Sequence, residues 1–414
     1  MVTEVLYREI KACRICRGHD LRPILDLGSL ALTGVFPSLG EPGPPTAPLS
    51  LVRCGSCGLA QLRHSTDPAA MFGEHYGYRS GINATMRNHL GMIAAQIARR
   101  SGLRSNEVAL DIGCNDGTLL MSYDIPGLVR VGIDPIADMF RAAYPAALRV
   151  HAGTFDTAAF RALCGREHAR AITSIAMFYD LEDPGSFVDD VAQVLAPDGI
   201  WVLEQSYLPS MLVQNSFDTI CHEHLEYYAF AQIERLLRER GLRAFDISVN
   251  GSNGGSLQVW VCHAGAPYPT NEAAIDAIRR RESELGLSTE TPYREFSSRV
   301  ASIGRRLSAL LTGEARQGKK IYVYGASTKG NVLLQHFRLG TSLIRGCADR
   351  NPEKWGRRTP GTDIPIVSEE AARHDADCFL VLPWHFRDEF LAREADFRAR
   401  GGRLIFPLPD VEVL

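Results

Sequence analysis

The chain lacks the features that mark several classes of protein. No stretch approaches the ~20 consecutive apolar residues of a membrane helix. The opening Met1-Val-Thr-Glu-Val-Leu-Tyr-Arg-Glu9 has neither the basic nor the apolar segment of a secretory leader. A cytoplasmic location with no membrane partner is therefore expected. Charge of one sign is also missing: 45 Lys+Arg stand against 48 Asp+Glu, a formal net charge of -3. No global field favours nucleic acid or an anionic surface. Disulfide scaffolding is not indicated, because four of the 10 cysteines form Cys-x-x-Cys pairs and the rest are scattered singly, as reduced core thiols usually are. What remains is an ordinary globular composition, 45% hydrophobic and 22% charged, over 414 residues. That length suggests two or three domains, each with its own core.

The paired cysteines are Cys13-Arg-Ile-Cys16 and Cys54-Gly-Ser-Cys57. Two such knuckles can present four thiolates to one tetrahedral ion, which points to structural zinc with no open coordination position. Arg14, Arg17 and Arg53 are placed to offset the thiolate charge, and Leu51-Val52 with residues 59–62 suggest a hairpin under the second knuckle. Zinc ribbons often bind nucleic acid, but residues 18–53 are poor in lysine and show no basic-aromatic interleaving, so none is expected as a partner. Losing one cysteine should cost zinc and stability more than chemistry per folded molecule.

Val108-Ala-Leu-Asp-Ile-Gly-Cys-Asn-Asp-Gly117 is an apolar strand running into a glycine-bearing turn, and the next apolar run, 129–133, ends in Asp134. That spacing, roughly 20 residues, suits a carboxylate at a strand tip accepting ribose hydroxyls. The turn lacks the third glycine of a dinucleotide fingerprint, and Asp111 would repel a pyrophosphate while receiving a cationic ligand. The stretch resembles motif I of class I S-adenosylmethionine-dependent methyltransferases. The resemblance implies that Asp111, Gly113, Asn115 and Asp134 hold the cofactor, with Phe155 gripping adenine. Strands and helices alternate through 171–204, so an α/β sheet, mostly parallel and covered on both faces, is expected. The aromatic and polar cluster His75-Tyr-Gly-Tyr-Arg-Ser80 leads into a helix continuing to Ile97. It is either a packing element or a lid in which Tyr78 meets the cofactor and Tyr76 and Arg79 the substrate.

The sharpest chemical signal is Asp218-Thr-Ile-Cys-His-Glu-His-Leu-Glu-Tyr-Tyr228. His222 and His224 are at i and i+2, so this is not a metalloprotease helix; a dense His-Glu-His in a loop favours acid-base catalysis. Further on, Gly325-Ala-Ser-Thr-Lys-Gly-Asn331 follows a strand and opens a helix. Its amides and Lys329 suit an anion, and Asp349, 24 residues after Gly325, suits a ribose or sugar hydroxyl.

Knuckles, motif I turn and His-Glu-His together resemble the nucleotide-sugar C-methyltransferases of deoxysugar biosynthesis over essentially the whole chain. The resemblance implies a zinc-binding unit over 1–70, a class I methyltransferase Rossmann-like domain over 71–265 and a C-terminal Rossmann-like domain over 266–414. The last would hold the sugar nucleotide through Gly325, Ser327, Lys329, Asn331 and Asp349. The implied reaction methylates a carbon beside the ketone of a nucleotide-linked keto sugar. In it His224 is the base, Glu223 orients it, and His222 polarises the carbonyl. Relatives commonly carry tyrosine where this chain has Cys221, and a histidine where it has Phe178-Tyr179-Asp180, which makes Tyr179 the candidate replacement hydroxyl. Two other readings stay open: O- or N-methylation of such a sugar, and a non-catalytic ligand-sensing or nucleic-acid-binding protein with a vestigial fold.

Overall fold

The computed structural model describes residues 6–71 and 79–414. Five strands open the chain: β1 (Tyr7–Glu9), β2 (Leu21–Ala31), β3 (Thr46–Cys54), β4 (Ala60–Leu62) and β5 (His64–Thr66). β3 and β4 form the expected hairpin, closed by Gly58 at φ +79°, a conformation that glycine adopts without strain.

Strands β6 (Val108–Ile112), β7 (Val129–Asp134), β8 (Leu148–Ala152), β9 (Ala169–Ile175) and β10 (Leu195–Ser206) are parallel to one another. The central β6 is buried along its whole length, as a strand covered on both faces must be. Two antiparallel strands, β12 (Leu242–Asn250) and β13 (Ser256–His263), complete a sheet of order β12-β13-β10-β9-β6-β7-β8. The order reverses between β6 and β9, and the carboxyl ends there open a ligand crevice. Trp201, Phe160 and Phe178 fill the core without exposure, and the Trp201 indole donates to Ser174 Oγ at 3.2 Å, so its polar atom is not orphaned.

The C-terminal sheet has order β16-β15-β14-β17-β18-β19. It comprises β14 (Ile321–Tyr324), β15 (Gly346–Asp349), β16 (Ile366–Ser368), β17 (Cys378–Val381) and β18 (Arg403–Phe406), all parallel, with an antiparallel edge strand β19 (Glu412–Val413). Its order reverses between β14 and β17, so the chain carries two such crevices.

Two features cross the boundaries expected from sequence. The short β11 (Glu226–Tyr227), directly after His-Glu-His, joins the N-terminal sheet in the order β11-β4-β3-β2. Helix Glu272–Glu284 buries Ile275 and Ile278 in the core beneath the seven-stranded sheet, so that layer continues past residue 265. Among the described residues, no helix is long and apolar enough to cross a membrane.

Candidate functional site

A cavity of about 860 Å³ lies where the carboxyl ends of β6 and β7 meet those of β14 and β17. β6 delivers Asp111 and the turn Gly113-Cys-Asn115 to its wall. Gly113 has φ +76° and its hypothetical Cβ would lie 2.9 Å from Met177, so glycine is required there. Asp134, the last residue of β7, accepts from the Asn115 amide at 2.8 Å and the Ile136 amide at 2.9 Å, one bond per carboxylate oxygen. Each oxygen keeps a lone pair for a further donor. Asn115 is held at φ +48° with its side chain accepting from the Ser80 amide, which docks the preceding segment over the turn. Burial pushes the Asp111 carboxyl up to about 7, and Asp134 is also raised by burial. Two buried carboxylates beside apolar Ile136 and Phe155 suit a ligand that is cationic, carries vicinal hydroxyls and ends in a flat ring. S-adenosylmethionine has these features.

The wall also carries Tyr179, Glu223, His224, Lys329 and His385. β9 stops at Ile175 rather than running to 178: Ala176 takes φ +55°, and the turn Phe178–Asp180 follows. A non-glycine residue in that region is strained, and the strain turns Tyr179 and Asp180 into the cavity wall. The Tyr179 ring lies 4.2 Å from that of His224, centroid to centroid. His224 Nδ1 donates to the Thr219 carbonyl at 2.9 Å, which fixes the tautomer with a lone pair on Nε2. Burial, reinforced by the Lys329 charge, pulls His224 down to about 4, so it is neutral at physiological pH.

Burial pushes Glu223 up to about 7 from an ordinary 4.5. Between those values the unfolded chain binds fewer protons than the folded one, so stability falls as pH rises through the window. Glu223→Gln is therefore expected to raise stability at pH 8, by on the order of 3 kcal/mol at most, and far less at pH 5. Thermal unfolding at the two pH values checks this; an equal shift at both would refute it.

Several expected site residues lie elsewhere. His222 is buried with Nε2 donating to the Ala47 carbonyl at 3.0 Å, outside the cavity wall, so it does not polarise a carbonyl. Residues 220–225 form turns rather than an extended strand, and the two histidines diverge. Thr219, not Glu223, orients His224. Arg79 is exposed and lies over the Phe140 ring at 5.6 Å. Asn331 is fully buried, donating to the Thr33 carbonyl at 3.3 Å. Gly325 shapes its turn at φ +89° beside Pro383, outside the wall. Asp349 accepts from the Ala326 and Asn351 amides, each at 2.8 Å, and supports the turn rather than facing the cavity. Ser327 and Lys329 do border it. Tyr76 and Tyr78 lie outside the described residues.

Other wall residues were not foreseen. Asp180 is half-buried, its buried Oδ1 has no hydrogen-bond partner, and desolvation with the Glu223 charge raises it well above the carboxylate range. Glu204 accepts from Asn250 and Gln258 and pairs with His89 at 2.6 Å, tying helix Ala84–Ser101 to the sheet. His385 follows the carboxyl end of β17; the rule that ligands bind at such ends was the one signal able to find it.

Away from the cavity, the sulfurs of Cys13, Cys16, Cys54 and Cys57 all lie within 4.8 Å of one another, with Cys13–Cys57 at 3.6 Å and Cys16–Cys54 at 3.4 Å. A tetrahedron with Zn–S of about 2.3 Å has S–S edges of about 3.8 Å, so the four thiols fit zinc. The nearby arginines serve other partners. Arg14 donates to the Leu62 carbonyl and Ser65 and lies 3.6 Å from Glu226, Arg17 pairs with Asp183, and Arg53 donates to the Ser288 carbonyl.

The cofactor turn, the sheet order and the four-thiol site define an S-adenosylmethionine-dependent methyltransferase with structural zinc. Residues 13–72 match a zinc-binding domain family, 86–246 a methyltransferase domain and 251–409 the C-methyltransferase C-terminal domain. The chain is 32% identical over 415 residues to the C-methyltransferase NovU of Streptomyces niveus, covering 99% of this chain and 98% of that protein. It belongs to this C-methyltransferase family. Among solved structures, the mitomycin 7-O-methyltransferase MmcR aligns at 19% identity and TM-score 0.35, covering 44% of this chain and 55% of that one. CalS10, an amino pentose methyltransferase from Micromonospora echinaspora, aligns at 15% and 0.31, covering 42% and 90%.

Proposed function

We propose that this enzyme methylates a carbon adjacent to the ketone of a nucleotide-linked keto (deoxy)sugar, with His224 removing the proton from that carbon. The observation that supports this most is the state of His224: neutral, its Nδ1 engaged by Thr219, its Nε2 free to accept a proton, on the wall of a cavity shared by both crevices. A carbon beside a carbonyl is acidic enough for a positioned base, whereas an unactivated carbon is not. S-adenosylmethionine supplies an electrophilic methyl group on a sulfonium.

In this reading Asp134 accepts the two ribose hydroxyls, Asp111 faces the cationic part and Phe155 the adenine. Tyr179 and Asp180 present hydroxyl and protonated carboxyl to the sugar, and Ser327 and the helix it caps meet the nucleotide. Asp134→Ala is expected to weaken S-adenosylmethionine binding about 10- to 100-fold, since a hydrogen bond to a charged group contributes about 1.5–3 kcal/mol. Titration calorimetry checks this, and an unchanged dissociation constant would remove the ribose assignment.

The reaction is tested by mass spectrometry of the zinc-loaded enzyme with S-adenosylmethionine and a panel of nucleotide-linked 4-keto sugars in deuterated water. Methyl gain with loss of one carbon-bound hydrogen is expected. Methyl gain with every carbon-bound hydrogen retained would move the acceptor to oxygen or nitrogen.

A further inference from the structure

Lys329 was expected to grip a diphosphate at the mouth of the C-terminal crevice. Its surroundings are different. It sits in the first turn of helix Thr328–His336, half-buried, and faces the same cavity as His224, Glu223 and Tyr179. That helix packs against the single turn Phe217–Thr219. Both groups are keyed to this turn. The Thr219 carbonyl holds His224 Nδ1; burial lowers Lys329 from the ordinary lysine range, and the attraction of the neighbouring buried Asp218 opposes that shift. Asp218 is itself fixed by the Trp384 indole, which donates to Oδ2 at 3.0 Å. One buried turn therefore holds the base and packs against the helix that carries the cation, which comes from the C-terminal domain. Among the described residues, the other ammonium on the cavity wall is Lys354, which lies 4.7 Å from the centre of the Phe36 ring and donates to the Ala326 carbonyl.

We propose that Lys329 is a catalytic residue that stabilises the enolate oxygen formed when His224 takes the proton, rather than an anchor for the nucleotide phosphates. This rests on the proposed reaction. In the step, the proton on the carbon passes to His224 Nε2, the C–H electron pair becomes the carbon–carbon double bond, and the carbonyl π pair moves onto oxygen. The resulting negative charge meets the Lys329 ammonium on the cavity wall, where a preorganised cation stabilises developing charge. His222, buried against Ala47, leaves that role vacant.

The test uses the zinc-loaded enzyme as wild type and as Lys329→Met, with two readouts. The first is deuterium exchange into the carbon beside the ketone of the same 4-keto sugar panel, beside calorimetric affinity for the matching nucleoside diphosphates. The expected result is exchange at saturating substrate slowed roughly 100- to 1000-fold, the range for losing one oxyanion donor, with nucleoside diphosphate affinity changed less than 3-fold. Exchange preserved at saturation with affinity lost would overturn the proposal in favour of a phosphate anchor. The second readout needs no substrate: nuclear magnetic resonance of the His224 imidazole, whose titration midpoint is expected to rise when the Lys329 charge is removed. An unmoved midpoint would overturn the proposal. Wild-type enzyme that exchanges no panel member would tell against the proposed substrate class, and the His224 midpoint would still decide whether Lys329 stands against the base.

Discussion

His224→Ala is expected to lower turnover by roughly 100- to 10,000-fold, the contribution of a positioned general base, while leaving S-adenosylmethionine affinity within a factor of two. The separation follows from the site. The His224 ring hydrogen-bonds the Thr219 carbonyl, whereas Asp134 is held by the Asn115 and Ile136 amides of the cofactor turn. Single-turnover assays beside calorimetry check both halves, and comparable turnover in the variant would remove His224 from the mechanism. The variant should also respond differently to acid. His224 is held near 4 when folded and titrates near 6.5 when unfolded, so the unfolded chain binds more protons between those values, and this residue makes stability fall as pH drops through them. His224→Ala is expected to flatten that part of the stability profile.

The second large effect concerns zinc. Cys13→Ser is expected to release the metal, lower thermal stability and reduce turnover per folded molecule. Structural zinc sites contribute folding energy outright, with apparent values of about 10–16 kcal/mol in isolated zinc-finger peptides. Sequence alone suggested that chemistry per folded molecule would suffer less than zinc content and stability. The structure argues otherwise, because the Arg14 amide inside the first knuckle donates to Gln61 Oε1 at 3.1 Å, Gln61 lies on β4, and β4 pairs with β11, two residues from His224. Metal content by plasma mass spectrometry, thermal unfolding and turnover per folded molecule measure the three effects. Full activity in the zinc-free variant would show that β11 holds its place without the knuckles.

The strands and turns at the cofactor end were legible because the signals there are local. An apolar run into Gly113, with Asp134 closing the next strand, reads the same whatever packs around it, and both residues face the cavity. The cysteine knuckles were legible for the same reason. The catalytic end depends on long-range packing. Nothing local distinguishes His222 from His224; the choice is made by the turn at 220–225 and by the Ala47 carbonyl of β3, 175 residues away in the chain. Asn331 and Asp349 looked like ligand contacts because polar residues near a crevice usually are, yet one secures the Thr33 carbonyl and the other supports the Ala326 turn. Asp180 and His385 carried no recognisable spacing and became visible only when β9 ended early and β17 was placed beside β14.

Because β11 is zipped to β4 rather than to its neighbours in the chain, the three units are not interchangeable parts. A chimera that took its N-terminal sheet from a relative and kept the rest would replace the edge against which Glu226 and Tyr227 are registered to Gln61 and Ala60. The loop bearing His224 would then be aligned by a foreign strand. Recombination that preserves the register must exchange two separate stretches together, the knuckle sheet and residues 220–228, so the inheritable module in this protein is discontinuous in sequence.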